Sequence, residues 1–401
     1  MTERTKNIIT TSMLIILAIS AFAAGYVTND FVELRKGGTL VRERDEFDLF
    51  WDAWGYVEAS FIGDLPSEKE LTYNAIRGAI GALNDPYTIF VEPIARDQER
   101  ESLQGRYGGI GATLFRLEGS DEIVLEPIPG NPAEIAGILS GDVLVAVDGE
   151  PVTRDQSVQE VAQKIRGETG TTVTLTVRHP GQNEPVDITV ERGNILIPSV
   201  SYRLLPEDAT IGYIQLTRFS AESSQEVADA ISALKALGAK KLILDLRGNG
   251  GGLVDAAVSV SGHFLPADTL VLTQQSRQDG ERSFYTSGDP IADNMPLVVL
   301  VDGGTASAAE ILAGALQDNG RAVLIGSQRT FGKGSVQLVY DLIDGSSVHV
   351  TSARWFTPNG HQIDQQGLLP DILVEVTQEG VENGRDEVLP RGITYLNNQD
   401  E

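Results

Sequence analysis

At 401 residues and a formal net charge of −26, the chain is long enough for two or three domains and too acidic to attract a phosphate backbone, which sets nucleic-acid partners aside. The absence of cysteine removes disulfides, thiolate metal sites and a cysteine nucleophile. Four scattered histidines without ligand spacing argue against zinc, so neither a metal nor a cofactor is expected.

Arg4 and Lys6 precede an uncharged run over 7–29 that is centred on 13–19. Its length suits a bilayer span, and its basic flank orients the N-terminus to the cytoplasm, exporting the rest. Ala21-Phe22-Ala23 resembles a signal-peptidase site, so residues 1–30 read as a signal anchor or a cleaved signal; the length favours the anchor. An extracytoplasmic, membrane-attached protein is expected.

Residues 31–104 read as mainly helical. Phe47, Phe50, Trp51, Trp54 and Val57 recur at helical spacing, a stripe read as ordinary core packing. Ser67 with Glu70 forms a capping-box start for a second helix, which should stop before Asp85-Pro86. Over 105–195 the pattern changes to strands near 123–126, 143–147, 173–177 and 186–190, with one amphipathic helix over 157–165. The loop Gly108-Gly109-Ile110-Gly111, beside that helix, could hold a peptide C-terminal carboxylate on backbone amides while the peptide adds as a strand; the glycines alone would be a plain β-turn.

From 196 to 376 the alternation is α/β. Strands are expected at 211–216, 241–246, 297–301 and 323–325, and helices at 223–237, 256–264 and 307–317. A hairpin over 336–351 should turn at Asp344-Gly345. The acidic tail, 377–401, allows a short helix near 387–396.

Two segments carry chemistry. After the strand ending at 301, Gly303-Gly304 bends the chain and a helix opens at Ser307, where free N–H groups and the positive dipole end lie. A serine there can attack a carbonyl while the Ala308 amide faces the oxyanion; read alone, Ser307 or Thr305 is as well a helix cap. Lys333, between Gly332 and Gly334, supplies the missing base, provided that burial moves its pKa from about 10.4 toward roughly 7–8. Gln337 follows four residues later and could orient the Lys333 amine. The run Gly248-Asn249-Gly250-Gly251-Gly252 makes an anion-binding concavity, with Gly251 as a second oxyanion donor. It matches neither GxGxxG nor a Walker A loop. Ser232-Ala233-Leu234-Lys235 matches SxxK, but lies within a helix whose apolar residues define the packing face, and lacks the companion motifs.

These stretches, together with Leu83-Asn84-Asp85-Pro86-Tyr87-Thr88, the run 131–149, Trp355-Phe356-Thr357-Pro358-Asn359-Gly360 and 367–371, resemble the carboxyl-terminal processing peptidases (tail-specific proteases, peptidase family S41) with an embedded PDZ domain. The resemblance covers about 45–396. It implies an α/β (α+β) chain: a crotonase-like ββα core over 196–376, a PDZ domain at 105–195, a helical N-terminal region and an N-terminal membrane segment. It further implies Ser307 as nucleophile, Lys333 as general base, Gln337 as its orienter, and Gly251 and Ala308 as oxyanion donors. Substrates would be exported proteins with apolar C-terminal tails. The competing readings are a catalytically silent PDZ scaffold that binds protein C-termini, and an acyl-CoA enzyme of the same fold. Oligomeric state is left open, with a homo-oligomer allowed.

Overall fold

The computed structural model describes residues 45–117 and 119–400, so the expected membrane segment lies outside the described residues. None of the described helices is long and apolar enough to cross a membrane. The chain divides into two units, 1–74 and 75–401. In the first, α1 (Asp45–Ser60) carries the aromatic stripe; α2 (Glu68–Gly81), which runs across the boundary, begins at the expected capping box, with Glu70 N–H donating to Ser67 Oγ (3.2 Å) and Ser67 N–H to Glu70 Oε2 (2.8 Å). The stripe does not form a core. Phe47 and Trp51 are 59% and 57% exposed, and the recorded ring contacts are Phe47 with Phe50 and Phe50 with Trp51. Helical spacing specifies a ridge, not the surface that would cover it, and residues 45–74 include no sheet to do so.

The second unit begins its strands with β1 (Ile89–Val91), followed by α3 (Pro93–Gln104). A short antiparallel ladder then pairs β2 (Arg106–Gly109) with β9 (Gly193–Leu196), in register Arg106↔Leu196. Between the two lies a separate antiparallel sheet. Its order is β3 (Ala112–Arg116), β4 (Ile123–Pro127), β5 (Asp142–Val147), β7 (Thr172–Arg178) and β8 (Val186–Glu191), with β6 (Glu150–Pro151) beside β5. The helices α4 (Pro132–Ile135) and α5 (Val158–Ile165) complete this body, which buries its own core around Ile123, Leu125, Val161 and Leu175.

The remaining elements build the larger body. A six-stranded sheet runs β10 (Val200–Leu205), β11 (Asp208–Leu216), β12 (Lys241–Asp245), β15 (Leu297–Val301), β16 (Val323–Gly326) and β19 (Ile372–Leu373). It is parallel apart from the β10–β11 pair. β12 and β15 are buried along their whole length, as an apolar parallel strand covered on both faces should be. One face is covered by α6 (Ser223–Ala236), α7 (Val254–Ser261) and α8 (Ala308–Asp318); the other by α10 (Val388–Asn397), after the short α9 (Gln378–Glu382). Every residue of α8 from Ala308 to Leu316 is buried, so it is the central helix of the core.

A second, antiparallel sheet holds β13 (Leu270–Ser276), β14 (Gly280–Tyr285), β17 (Ser335–Asp341) and β18 (Ser347–Phe356). β17 and β18 are the expected hairpin, with Gly345 at φ +85° in its turn. The other edge of β18 pairs with β1 and β13, which brings residues near 90 to the hairpin that follows Lys333.

In the smaller body, α5 starts at a capping box. Ser157 Oγ accepts Glu160 N–H (3.2 Å), and Glu160 Oε2 accepts Ser157 N–H (2.6 Å). Ser157→Ala is expected to cost about 1 kcal/mol of stability, read as a shift in denaturant midpoint.

Candidate active site

The turn after β15 is tied down on several sides. Asp302 Oδ1 accepts the N–H groups of Gly304 (2.9 Å) and Gly248 (2.9 Å), and the Thr305 hydroxyl donates to Leu246 O (2.9 Å). Ala306 N–H donates to Asn249 O (2.9 Å), which laces this turn to the glycine loop after β12. Ser307 then takes φ 55° and ψ −119°, a region that side chains rarely occupy. Ser307 is the N-cap of α8, its N–H taken by Glu310 at N3 as in a capping box, but without the extended backbone an N-cap ordinarily has; Thr305 spends its hydroxyl on Leu246 O.

The constraint that holds this backbone is Glu310, which is fully buried. Its Oε2 accepts Ser307 N–H (2.9 Å) and Lys333 N–H (2.9 Å); its Oε1 accepts Gly332 N–H (2.8 Å) and the Thr330 hydroxyl (2.5 Å). Burial pushes this carboxyl upward and the four bonds pull it down. All four partners are donors, so the arrangement is built for the carboxylate. One side chain therefore fixes the segments of both Ser307 and Lys333.

Lys333 is pinned from its other side as well, since its carbonyl accepts the Trp355 indole N–H (3.1 Å). The flanking glycines are required by close approach. A Cβ at Gly332 (φ +88°) would lie 2.9 Å from Gly367 N, and one at Gly334 would lie 2.2 Å from Asp364 N. Ser307, Lys333 and Gln337 line one cleft of about 350 Å³, with Glu99, Leu103, His349 and Trp355 among its other walls. Burial pushes the Lys333 amine below its ordinary range, and the Glu99 carboxylate pulls it back up.

Three sequence expectations need adjustment. The Gln337 amide donates to Ser335 Oγ (2.9 Å) and Thr351 Oγ1 (3.4 Å), not to Lys333, because the β17–β18 pairing shifts register at Val336/Gln337. The Gly251 N–H is occupied by Asn249 Oδ1 (2.9 Å), so it is not a free oxyanion donor in this structure. What Gly251 supplies is space: at φ +102°, a Cβ there would stand 2.8 Å from Ser307 Cβ and 2.9 Å from Ala308 N. The Ala308 N–H, in the first turn of α8, has no hydrogen-bond acceptor among the described residues. Of the loop 108–111, Gly109, Ile110 and Gly111 line a groove of about 340 Å³ against α5. Gly108 lies outside it, pressed on Gly167 O, where a Cβ would come within 2.0 Å.

Sequence reading missed Glu99 and His349. Buried His349 Nε2 stands 3.2 Å from Glu99 Oε2 without a hydrogen bond to it, and Arg96 holds Glu99 from the same helix (2.9 Å). Burial pushes the His349 imidazole down while Glu99 pulls it up. No local pattern marks them, since the contact of α3 with β18 joins distant parts of the chain. Behind the glycine loop, buried Asp245 accepts the Tyr213 hydroxyl (2.7 Å) and Arg247 Nη2 (2.6 Å), and Arg247 reaches on to Asp386 (2.8 Å). No cluster of three or more His, Asp or Glu side chains among the described residues could hold a metal ion.

Residues 210–374 match the model of peptidase family S41, and 123–179 match a PDZ domain model. A carboxyl-terminal-processing protease of Picosynechococcus sp. is 38% identical over 349 residues, covering 82% of this chain and 83% of that protein. A carboxy-terminal-processing protease of Bartonella bacilliformis is 36% identical over 362 residues, covering 88% and 82%. Among solved structures, a photosystem II D1 C-terminal processing protease is 34% identical, with a TM-score of 0.45 over 80% of this chain and 86% of that one.

Glu310→Gln keeps the shape but sets an amide against donors. Denaturant melts are expected to read a loss of about 1–3 kcal/mol. Displacement of the two tethered segments should lower kcat roughly a hundredfold in peptide hydrolysis.

Proposed function

Because this chain belongs to peptidase family S41, among its carboxyl-terminal processing serine proteases, we propose that it cuts exported proteins near their C-termini with Ser307 as nucleophile and Lys333 as general base. The observation that carries this reading is the shared tether: Glu310 binds the backbone N–H of both residues, and both side chains open into one cleft.

In the proposed reaction the neutral Lys333 amine takes the Ser307 proton as Oγ bonds to the scissile carbonyl carbon. The oxyanion forms opposite the Ala308 N–H, at the positive end of α8. Collapse breaks the C–N bond, and the Lys333 ammonium returns its proton to the leaving amine. A water, deprotonated by the same amine, then attacks the acyl-enzyme; the C–Oγ bond breaks, and the Lys333 ammonium returns the proton to Ser307 Oγ. Gln337 contributes from the wall of the cleft by its bonds to Ser335 and Thr351.

Substrate tails would enter the groove between β3 and α5. The Ile110 and Gly111 N–H groups have no acceptor among the described residues and suit a terminal carboxylate. The apolar wall, with Leu114, Val158 and Ala162, suits an apolar last side chain. Residues 1–30 would place the enzyme outside the cytoplasm, attached to the membrane. Membership of a serine peptidase family leaves the silent scaffold without support.

Hydrolysis of an apolar-tailed peptide should fall on the order of 10⁴-fold or more in Ser307→Ala and in Lys333→Ala. Lys333→Arg should not rescue, since a guanidinium does not deprotonate. Equal rates in wild type and Lys333→Ala would exclude the lysine base. A lysine held below its usual pKa is inactive while protonated, so kcat/KM should climb with pH and level off below pH 10.5. A profile flat between about pH 6 and 9 would contradict this. A non-cleavable peptide ending in an apolar residue should raise KM for a tailed substrate, whereas its C-terminal amide should not.

A further inference from the structure

The segment Leu83-Asn84-Asp85-Pro86-Tyr87-Thr88 has a fixed shape that the reaction above does not explain. Asn84 takes φ 52°, and the Asp85 carboxylate accepts Tyr87 N–H (3.2 Å) and the Thr88 hydroxyl (2.6 Å). Buried Thr88 Oγ1 in turn accepts Thr351 N–H (3.1 Å), which fastens the turn to β18. The result is that the half-buried Tyr87 ring lies beneath Lys333, with Nζ 5.3 Å from its centroid. That is inside the range of a cation–π contact. Among the described residues Lys333 makes no salt bridge, so this ring is the only cation-binding contact recorded for its amine.

We propose that Tyr87 is a positioning residue of the catalytic cleft: its ring face seats the Lys333 amine and stabilises the ammonium formed when the lysine takes the Ser307 proton. This rests on Lys333 being the general base. In the step concerned the Ser307 O–H bond breaks and an N–H bond forms on Nζ; the ring donates and accepts nothing. The physical need is specific. A carboxylate in direct contact would hold the lysine permanently charged, while a purely aliphatic wall would leave the ammonium unsupported. A ring quadrupole is attractive to the cation, weaker than an ion pair, and unable to take the proton. The other charged or titratable groups facing this corner are Glu99 from α3 and His349 from β18. Asp85, Glu310 and Asp364 act on the Tyr87 hydroxyl.

The test measures the amine directly. In full-length Ser307→Ala protein, the pH dependence of reductive methylation at Lys333 is followed by mass spectrometry with Tyr, Phe, Leu or trifluorinated phenylalanine at position 87. Leu keeps apolar bulk, and the fluorinated ring keeps shape while losing its quadrupole. Both should lower the Lys333 titration midpoint by on the order of one unit. Phe should keep the wild-type midpoint, because the ring and not the hydroxyl acts. With Ser307 intact, Leu and the fluorinated ring should lower kcat roughly tenfold with KM little changed, and Phe should restore it. An unmoved midpoint with Leu and the fluorinated ring, or a Phe variant that behaves like Leu, would overturn the proposal. If the Leu variant does not fold, the fluorinated ring decides alone. Failure of the underlying base assignment is separately visible, as undiminished hydrolysis by Lys333→Ala.

Discussion

A single buried carboxylate organises the centre of this molecule. Glu310 sits on the first turn of the central helix and collects donors from two segments: the strained serine at the helix mouth and the glycine-flanked lysine. Its desolvation is unfavourable, and the four donors offset it only in part, leaving the carboxyl above its ordinary range. The strain at Ser307 persists because Asp302, Thr305 and Glu310 leave the turn no other path. Ser307 is thus presented by backbone geometry rather than by a side-chain partner of its own.

Around that tether the cleft sets opposing influences on one amine. Burial favours the neutral form of the Lys333 amine. Glu99 and the Tyr87 ring favour the charged form. Each comes from a different element: the lysine precedes β17, the carboxylate lies on α3, and the ring lies on the turn before β1. The base role proposed for Lys333 would need both sets, because either alone would fix the amine in one protonation state.

Much of this was legible in the sequence, and the reasons are local. Strand, glycine bend and helix at 297–317 specify where Ser307 sits, and Gly332 and Gly334 mark a lysine whose backbone is closely approached. The buried parallel strands, the hairpin at Asp344-Gly345 and the helix over 157–165 follow from periodicity and turn chemistry. What stayed hidden depends on distant pairing. Glu99 looks like any charge on an exposed helix, and His349 like any alternating strand residue, until α3 meets β18. The state of the Gly251 amide is equally invisible, since Asn249 chooses between the loop and the cleft only in three dimensions. The aromatic ridge of α1 is the reverse case: a clear period whose partner surface no local pattern names.

The β2–β9 ladder has a topological consequence. Entry and exit of the smaller body lie side by side, Arg106 opposite Leu196, so the larger body experiences that long excursion as it would a tight hairpin. The ends are already joined by hydrogen bonds, so little chain entropy separates β1 and α3 from the strands that complete their sheet. Each body can therefore reach its own native packing without waiting for the other. Length added within the excursion leaves the geometry of the larger body untouched, the condition under which insertions survive.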